Sequence, residues 1–422
     1  MDVDASFRTA AAPQLAAMLR ASRQATLELL DALAAQLGPA LRVPQRDSLN
    51  LPLWEAGHIA WFQAWWIARL PAEQRHRGAE ADPLAPRLPP APVASPLDDD
   101  RLHDSSHVPH ASRWQLPLPG LQATRERLRQ GLDETLALLA HAPGDAAGLY
   151  FYRLVLAHED MHQEAGLMLA QQLGLDPGPQ APRPPAAPPA RPELSLPGGP
   201  LELGEHGEAD AFHFDNECGR RRVELAPFRI DARPLRQRDF LAFVEDGGYE
   251  DPRLWSPAGW AWRQARAAEG EALPRALRVP GPDGARAPRA PAGAERRVFA
   301  RWLPAEPEAA LQQVSAFEAE AWCRWAGRRL PTEAEWLAAA RLPPAAGFTW
   351  GEVWEWTAEP FSPFEGFRPH PYRDYSQPWF GDHRVLRGAA WTTPRRLRDR
   401  RMRNFYRPGR QDVIAGFRSC AP

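Results

Sequence analysis

The chain has 422 residues, more than a single hydrophobic core usually supports, so we expect two domains. A hydrophobic content of 44% and a charged content of 25% are ordinary for globular proteins and exclude a disordered or collagen-like chain. The formal net charge of −2 gives no general attraction to nucleic acid or to a membrane surface, so we expect neither as a partner and look for a small-molecule site.

The three cysteines, Cys218, Cys323 and Cys420, are too few and too scattered for a disulfide framework or a thiolate metal site. The N-terminus has no basic segment followed by a continuous apolar core, and no stretch approaches the roughly 18 uncharged apolar residues of a membrane helix. The sequence therefore predicts a soluble, cytoplasmic protein.

Helical periodicity dominates the first 178 residues. Apolar residues recur at intervals of three and four, and this spacing predicts four helices, over residues 13–37, 53–70, 121–141 and 148–174. A polar, proline-rich crossover separates the second helix from the third. Four long helices with one long crossover indicate a helical bundle, whose functional side chains project inward from facing helices.

The second half differs in composition from the first. Residues 179–197 are proline-rich and predict an extended linker, since proline fits neither a helix interior nor a central strand. In residues 198–422 short strand-like segments alternate with Gly, Pro and Trp, and only residues 312–327 and 331–342 have a clear helical pattern. The sequence therefore predicts an α+β chain whose second domain has little regular structure.

Histidines on two of the predicted helices suggest a metal site. His158 and His162 are four residues apart, so their imidazoles share one helix face. His58 lies on a Trp-rich helix, where a buried ring needs a polar partner. Three neutral imidazoles that leave coordination positions open suit redox-active iron. Two alternatives remain at this point: histidines on the helix surface, and a zinc protease that uses Glu159 of the H-E-x-x-H motif as its base.

Ordered motifs along nearly the whole chain carry a family resemblance. They read WEAGHIAWF, HEDMHQE, FHFDNE, FVEDGGYEDPRLWSPAGWAW, AWCRWAGRRLPTEAEW, GEVWEWTAEPF, VLRGAAW and RNFYRPGRQDVIAGFR. In these motifs the chain resembles the ergothioneine-type sulfoxide synthases, which join a DinB-like four-helix bundle to a formylglycine-generating-enzyme-like domain of the C-type-lectin-like fold. The resemblance implies an iron(II) enzyme that uses O2 to attach a chalcogen atom to the imidazole ring of hercynine, with His58, His158 and His162 as ligands.

The resemblance also suggests substrate-binding residues. Hercynine carries a trimethylammonium group, which aromatic faces attract; the candidates for that cage are Phe405, Tyr406, Trp379 and Trp391. Asn404 is the candidate for the betaine carboxylate and Arg410 for a substrate anion, while Tyr372 and Tyr375 are the candidate proton donors. Met161 stands where the family often has Gln, so Gln163 or a group of the second domain would have to compensate.

The donor of the chalcogen atom is predicted from departures from the family. Tyr406 replaces an acidic residue, and the crossover carries Asp98, Asp99, Asp100 and Asp104, which would repel a dicarboxylate peptide. Together with the segment GFRPHPYRDYSQPWF, these features resemble the selenoneine synthase branch, whose donor is a neutral selenosugar. The alternatives are a thiol donor such as γ-glutamylcysteine or cysteine, and a fusion protein without enzymatic activity whose second half binds a ligand.

Overall fold

The computed structural model describes residues 5–204, 211–270, 273–278 and 293–422. Its α-helices are α1 (Ala12–Leu37), α2 (Pro52–Trp66), α3 (Ala72–Arg75), α4 (Asp99–His103), α5 (Leu121–Leu139), α6 (Ala146–Leu173), α7 (Gln237–Glu245), α8 (Pro257–Ala268), α9 (Ala316–Trp325) and α10 (Glu333–Ala340). Its strands are β1 (Leu194–Leu196), β2 (Gly199–Leu203), β3 (Arg221–Leu225), β4 (Phe228–Ile230), β5 (Leu277–Arg278), β6 (Glu295–Val298), β7 (Arg301–Pro304), β8 (Trp354–Pro360), β9 (Arg384–Gly388), β10 (Asn404–Tyr406) and β11 (Ala415–Gly416).

The four long helices of the first half pack as a bundle. Helix α1 contacts α5 and α6, and α2 likewise contacts both of them. The Asp145 side chain caps α6 by accepting from the Gly148 amide, and Gly174 ends that helix in the left-handed conformation. Helix α2 stops at Trp66, four residues before the predicted end, because the chain turns toward Pro71, which cannot continue a helix.

Short strands build four small sheets in the second half. The largest has the order β10-β9-β8-β11, in which β11 runs parallel to β8 and the other pairs are antiparallel. The remaining sheets are the pairs β1-β4 and β2-β3 and the three-stranded β5-β6-β7. Strand β1 pairs with β4, so the end of the predicted linker belongs to the second half.

The prediction of only two helices in the second half is wrong. The structure adds α7 and α8 to the predicted helices, which it places at α9 and α10. Helix α8 begins at a Ser256 cap followed by Pro257, a start signal that its sequence contains, but Gly259 is its only buried residue. Its Trp260 and Trp262 are only partly buried against the core. In the described parts of the chain, no helix is both long and apolar enough to cross a membrane.

Buried ion pairs connect the two halves. Arg8, before α1, forms a two-bond contact of 2.7 Å with Glu217. Asp160 in α6 pairs with Arg396, with both nitrogen–oxygen distances at 2.6 Å. The second contact holds the segment that follows β9, and with it the sheet of the second half, against α6.

Candidate metal centre

Three imidazoles converge between α2 and α6. The ring centroids of His58 and His158 are 5.0 Å apart, those of His58 and His162 are 5.1 Å apart, and those of His158 and His162 are 4.4 Å apart. One ligand atom from each ring lies within 4.8 Å of the other two. The spacing of four residues along α6 places two of the rings on one helix face, and α2 supplies the third.

Two tryptophans and a carbonyl fix the orientation of His58. The Trp54 ring is stacked on the imidazole at a centroid distance of 4.9 Å, and the Trp61 ring lies at 5.6 Å. The Nδ1–H of His58 donates to the His103 carbonyl over 2.8 Å. Because this bond occupies Nδ1, Nε2 is the nitrogen with a free lone pair, as in metal-binding histidines.

The two histidines of α6 have different surroundings. The His158 ring is stacked on Phe62 at a centroid distance of 3.6 Å, and its buried Nε2 has no hydrogen-bond partner among the described residues. Nδ1 of His162 contacts Glu55 over 3.4 Å. Glu55 was not among the predicted site residues, although it lies three residues before His58 and therefore on the same side of α2.

The electrostatics of the cluster favour neutral rings at His58 and His158. Burial lowers the pKa of His58 and of His158 well below the ordinary value, and the neighbouring His162 lowers both further. Burial opposes ionisation of Glu55, but the interaction with His162 and the hydrogen bonds from His162 and Asn50 outweigh it and lower the Glu55 pKa. The centre thus combines three imidazoles, two of them held neutral by burial, with one carboxylate beside them, which suits a divalent cation.

Glu159 does not face the histidines. Its carboxylate forms a buried salt bridge with Arg23 of α1, at 2.8 and 2.9 Å, and accepts a hydrogen bond from Thr26. The zinc-protease alternative needs this carboxylate beside the metal as a base. The structure contradicts this alternative, because Arg23 and Thr26 hold Glu159 on the face of α6 that packs against α1.

The two predicted phenols lie at different distances from the histidines. The Tyr372 ring contacts Phe62 edge-on at 4.9 Å and is 6.3 Å from the His158 ring. Tyr375 lies farther out, stacked on Phe214 at 4.5 Å and 6.1 Å from Tyr372. Burial, with the charges of nearby aspartates, raises the pKa of Tyr372. Tyr372 is therefore the phenol beside the histidines and remains protonated.

Strand β10 carries three of the predicted substrate-binding residues, all partly accessible. Phe405 is stacked on Phe361 at 4.2 Å and lies 6.0 Å from Tyr375. The Arg410 guanidinium lies 5.3 Å from the centre of the Tyr406 ring. Asn404 accepts a hydrogen bond from the Phe405 amide through its side-chain oxygen, which leaves its NH2 group as a donor.

Three other predicted residues have contacts that do not fit their predicted roles. Gln163 donates to Ser22 and Thr26 on α1, so it does not replace the missing Gln beside the histidines. Trp391 is buried against Phe299 and donates to Gln312. Trp379 is 38% exposed, and its ring lies 5.3 Å from that of His383. The Arg410 guanidinium is already paired with Asp412.

Each of the four aspartates of the acidic crossover has a partner within the chain. Asp98 caps α4, Asp99 is buried against His103 and Arg127, and Asp100 pairs with Arg69. Asp104 accepts from the Ser106 amide and contacts His107 over 2.8 Å. The predicted repulsion of a dicarboxylate is therefore weakened, because Asp99 and Asp100 are already paired with arginines. Asp104 still lies near Tyr372, whose pKa it raises.

A cavity of about 850 Å³, which we call the Arg410 cavity, is lined by Arg410, whose guanidinium lies over the Tyr406 ring. Its basic lining residues are Arg46, Arg266, Arg275, Arg407 and Arg410. Three acidic residues, Asp47, Glu269 and Asp412, line it as well. Arginines therefore outnumber acidic residues in the lining. Two of them are paired, Arg266 with Glu269 and Arg407 with Asp382.

Comparisons with known proteins agree with this architecture. Residues 180–351 match the sulfatase-modifying factor enzyme 1-like domain family, which confirms the formylglycine-generating-enzyme-like domain predicted in the second half. A hercynine oxygenase of Mycolicibacterium smegmatis is 32% identical over 96% of this chain and 97% of its own length. That of Mycobacterium tuberculosis is 32% identical over 96% and 98%. A formylglycine-generating enzyme of Thermomonospora curvata is 35% identical over 37% of this chain and 52% of its own.

Proposed function

The chain belongs to the hercynine oxygenase family, and on this premise we propose that it is an iron(II)- and O2-dependent enzyme that forms a carbon–chalcogen bond on the imidazole ring of hercynine. The observation that carries the proposal is the convergence of His58, His158 and His162 beside Tyr372. We also propose that the bundle is of the DinB-like type, because its α2 and α6 carry the three histidines.

The three histidines fit an iron(II) ion. They offer three imidazole nitrogens, and the buried Nε2 of His158 is costly to leave without a partner. Nδ1 of His58 is bonded to a carbonyl and Nδ1 of His162 contacts Glu55, so the remaining nitrogens of these rings are available as ligands. When bound there, iron(II) would supply the activation of O2.

The protein's own side chains bind hercynine and supply a proton. The faces of Tyr375, Phe405 and Tyr406 are suited to the trimethylammonium group, which aromatic rings attract in a pocket that excludes water. The NH2 group of Asn404 donates to the betaine carboxylate. The hydroxyl of Tyr372 holds the proton nearest to the histidines, and its raised pKa keeps the proton there until a strong base forms.

For the donor we propose a selenosugar, which would make the product a precursor of selenoneine. Two features support a neutral donor. Tyr406 presents an uncharged hydroxyl, and the Arg410 guanidinium beside it is neutralised by Asp412. A polyhydroxylated donor can hydrogen-bond to such groups without separating that pair.

A thiol donor with carboxylates is the second candidate. The Arg410 cavity favours it, because five arginines outnumber three acidic groups there. Arg46 is exposed and its guanidinium has neither a hydrogen bond nor an ion pair among the described residues. A carboxylate of γ-glutamylcysteine or cysteine could bind there through the planar fork of an arginine.

O2 consumption by the anaerobically iron-loaded protein tests the proposal. We expect one iron per chain and an O2 uptake that requires both hercynine and a donor. Replacing histidine-cluster residue His162 by Ala should abolish both, whereas His141→Ala, at the end of α5, should not. Stoichiometric iron without any hercynine-dependent uptake would overturn the function, and iron retained by His162→Ala would overturn the ligand set.

The donor is tested with the same enzyme. A selenosugar, its thio analogue, γ-glutamylcysteine and cysteine are compared at equal concentration, with the product identified by mass spectrometry. We expect the selenosugar to have the highest kcat/KM. A preference for γ-glutamylcysteine that is lost in Arg46→Ala would instead support the second candidate.

A further inference from the structure

A second basic cavity lies in the C-terminal half and is independent of the proposed function. It measures about 600 Å³, and we call it the Arg400 cavity. Six arginines line it: Arg341, Arg387, Arg398, Arg400, Arg401 and Arg403. Its lining includes none of the three histidines and none of the tyrosines discussed above.

The positive charge of this cavity exceeds the negative charge around it. Its two acidic lining residues, Glu217 and Asp399, are both bound by Arg8, at 2.7 and 3.1 Å. Burial opposes ionisation of Asp399, but Arg401 and Arg8 outweigh it and lower its pKa to about 2. The guanidinium groups of Arg341 and Arg400 are exposed and have neither a hydrogen bond nor an ion pair among the described residues. Two cations therefore remain for a ligand.

Most of these arginines lie in the loop between β9 and β10, and hydrogen bonds to its backbone carbonyls hold this loop in place. Arg387 of β9 is buried and donates to the carbonyls of Arg400, Arg401 and Met402 at 2.5, 3.0 and 3.2 Å. Arg398 donates to two further carbonyls, those of Thr393 and Trp391. A loop fixed in this way loses little freedom when an anion binds, which favours affinity.

The rest of the cavity is apolar. Leu203, Leu337, Trp350 and Phe364 line it. The guanidinium of Arg403 covers the Phe364 ring at 4.0 Å, whereas Trp350 is only half-buried. A volume of this size accommodates a small organic molecule, and an accessible indole can stack on a flat ring.

We propose that the Arg400 cavity binds a nucleotide, with the phosphates on Arg341 and Arg400 and the base against Trp350. The planar guanidinium matches phosphate oxygens with two parallel hydrogen bonds. The apolar lining residues favour a nucleotide over a bare phosphate, because a base can pack against them and a phosphate cannot. The binding requires neither iron nor hercynine.

Calorimetric titration of the full-length protein with ADP in the presence of EDTA tests this site. We expect saturable binding of one ADP per chain. The double variant Arg341→Glu/Arg400→Glu should weaken it by about tenfold or more, since both side chains are exposed and their charges are reversed. The matched control is Arg20→Glu/Arg129→Glu, which makes the same charge change at exposed positions of the bundle. This control should bind ADP like the wild type.

Titration with inorganic pyrophosphate separates the two parts of the proposal. Trp350→Leu should weaken ADP binding several-fold and leave pyrophosphate binding unchanged. Absence of saturable ADP binding at millimolar concentration, or an equal loss in the control variant, would overturn the site. Equal affinities for ADP and pyrophosphate, unaffected by Trp350→Leu, would overturn its assignment to a nucleotide. Circular dichroism of each variant establishes that it is folded.

Discussion

At the scale of single residues, the centre depends on groups beside the histidines as much as on the histidines themselves. Trp54 and Trp61 hold one ring in place, a carbonyl selects its tautomer, and Glu55 contacts another. Such contacts decide whether three rings that are close together are also aimed at one point, because an ion needs lone pairs in fixed directions.

Glu55→Gln is the residue-scale test of this view. The amide removes the charge beside His162 but has a similar shape, so we expect iron(II) affinity to fall by about ten- to a hundredfold. Anaerobic titration measures the affinity. Glu126→Gln, at an exposed position of α5, makes the same change away from the histidines and should have no effect. Unchanged affinity in Glu55→Gln would show that this carboxylate does not tune the site.

The buried carboxylate of Asp215, which contacts Ser376 next to Tyr375, predicts a pH effect on stability. Burial raises the pKa of Asp215 to about 6, and its Oδ1 accepts a hydrogen bond from Ser376 while Oδ2 has no partner among the described residues. The folded state therefore binds this proton more tightly than the unfolded chain, so the ionised group costs stability above the folded pKa. Protonation relieves that cost as the pH falls toward the unfolded value.

Comparison with Asp215→Asn isolates this contribution. We expect the wild type to gain up to about 3 kcal/mol of unfolding free energy relative to Asp215→Asn between pH 7 and pH 4, at about 1.4 kcal/mol for each unit of the pKa shift. Urea denaturation of both proteins at each pH measures it, and the other titrating groups cancel in the difference. A difference that does not vary with pH would contradict the raised pKa.

At the scale of elements, α6 contacts α2, α1 and the second half, each through one pair of residues spaced by four. His158 and His162 face α2. Glu159 and Gln163 bond to α1, and Asp160 and Glu164 bond to the second half, where Glu164 accepts from Thr393 and Trp354. Each pair follows the helical repeat, so one continuous helix can carry ligands on one face and anchors on the other two.

The α1 anchor predicts a strong effect on stability. Arg23→Met leaves the Glu159 carboxylate buried without its cation, which should lower the free energy of unfolding by about 3 to 5 kcal/mol. Urea denaturation measures the change. The double variant Arg23→Met/Glu159→Met removes both charges and should recover much of the loss. A double variant no more stable than Arg23→Met would show that packing, not the unpaired charge, sets the cost.

The sequence predicted the four long helices of the bundle, but it missed α7, α8 and the contacts between distant parts of the chain. The four bundle helices and the spacing of His158 and His162 follow from local pattern. The partner of Glu159 does not, because Arg23 lies in another helix. Likewise, four aspartates in a row of polar residues look alike in sequence, and only folding brings Arg69 to Asp100 and Arg127 to Asp99. Side chains that pair across the chain cannot be located from composition.

At the scale of the whole molecule, the centre lies where the two halves meet. The histidines come from the bundle, whereas Tyr372 and the aromatic residues of β10 come from the second half. The distance between these groups therefore depends on the contacts that hold the halves together. Among them, Asp160–Arg396 joins α6 between two of the histidines to the segment after β9.

Arg396→Ala tests whether this contact couples the two halves. It leaves the Asp160 carboxylate buried with only Ser22 as a polar partner from α1, so we expect a loss of about 3 to 5 kcal/mol. Hydrogen exchange in increasing urea, followed on peptides from α1 and from β8–β9, should change from one common midpoint to two. Arg395→Ala, the neighbouring exposed arginine, should keep the common midpoint. A single, unshifted midpoint in Arg396→Ala would mean that the Arg8–Glu217 pair and the apolar interface suffice to couple the halves.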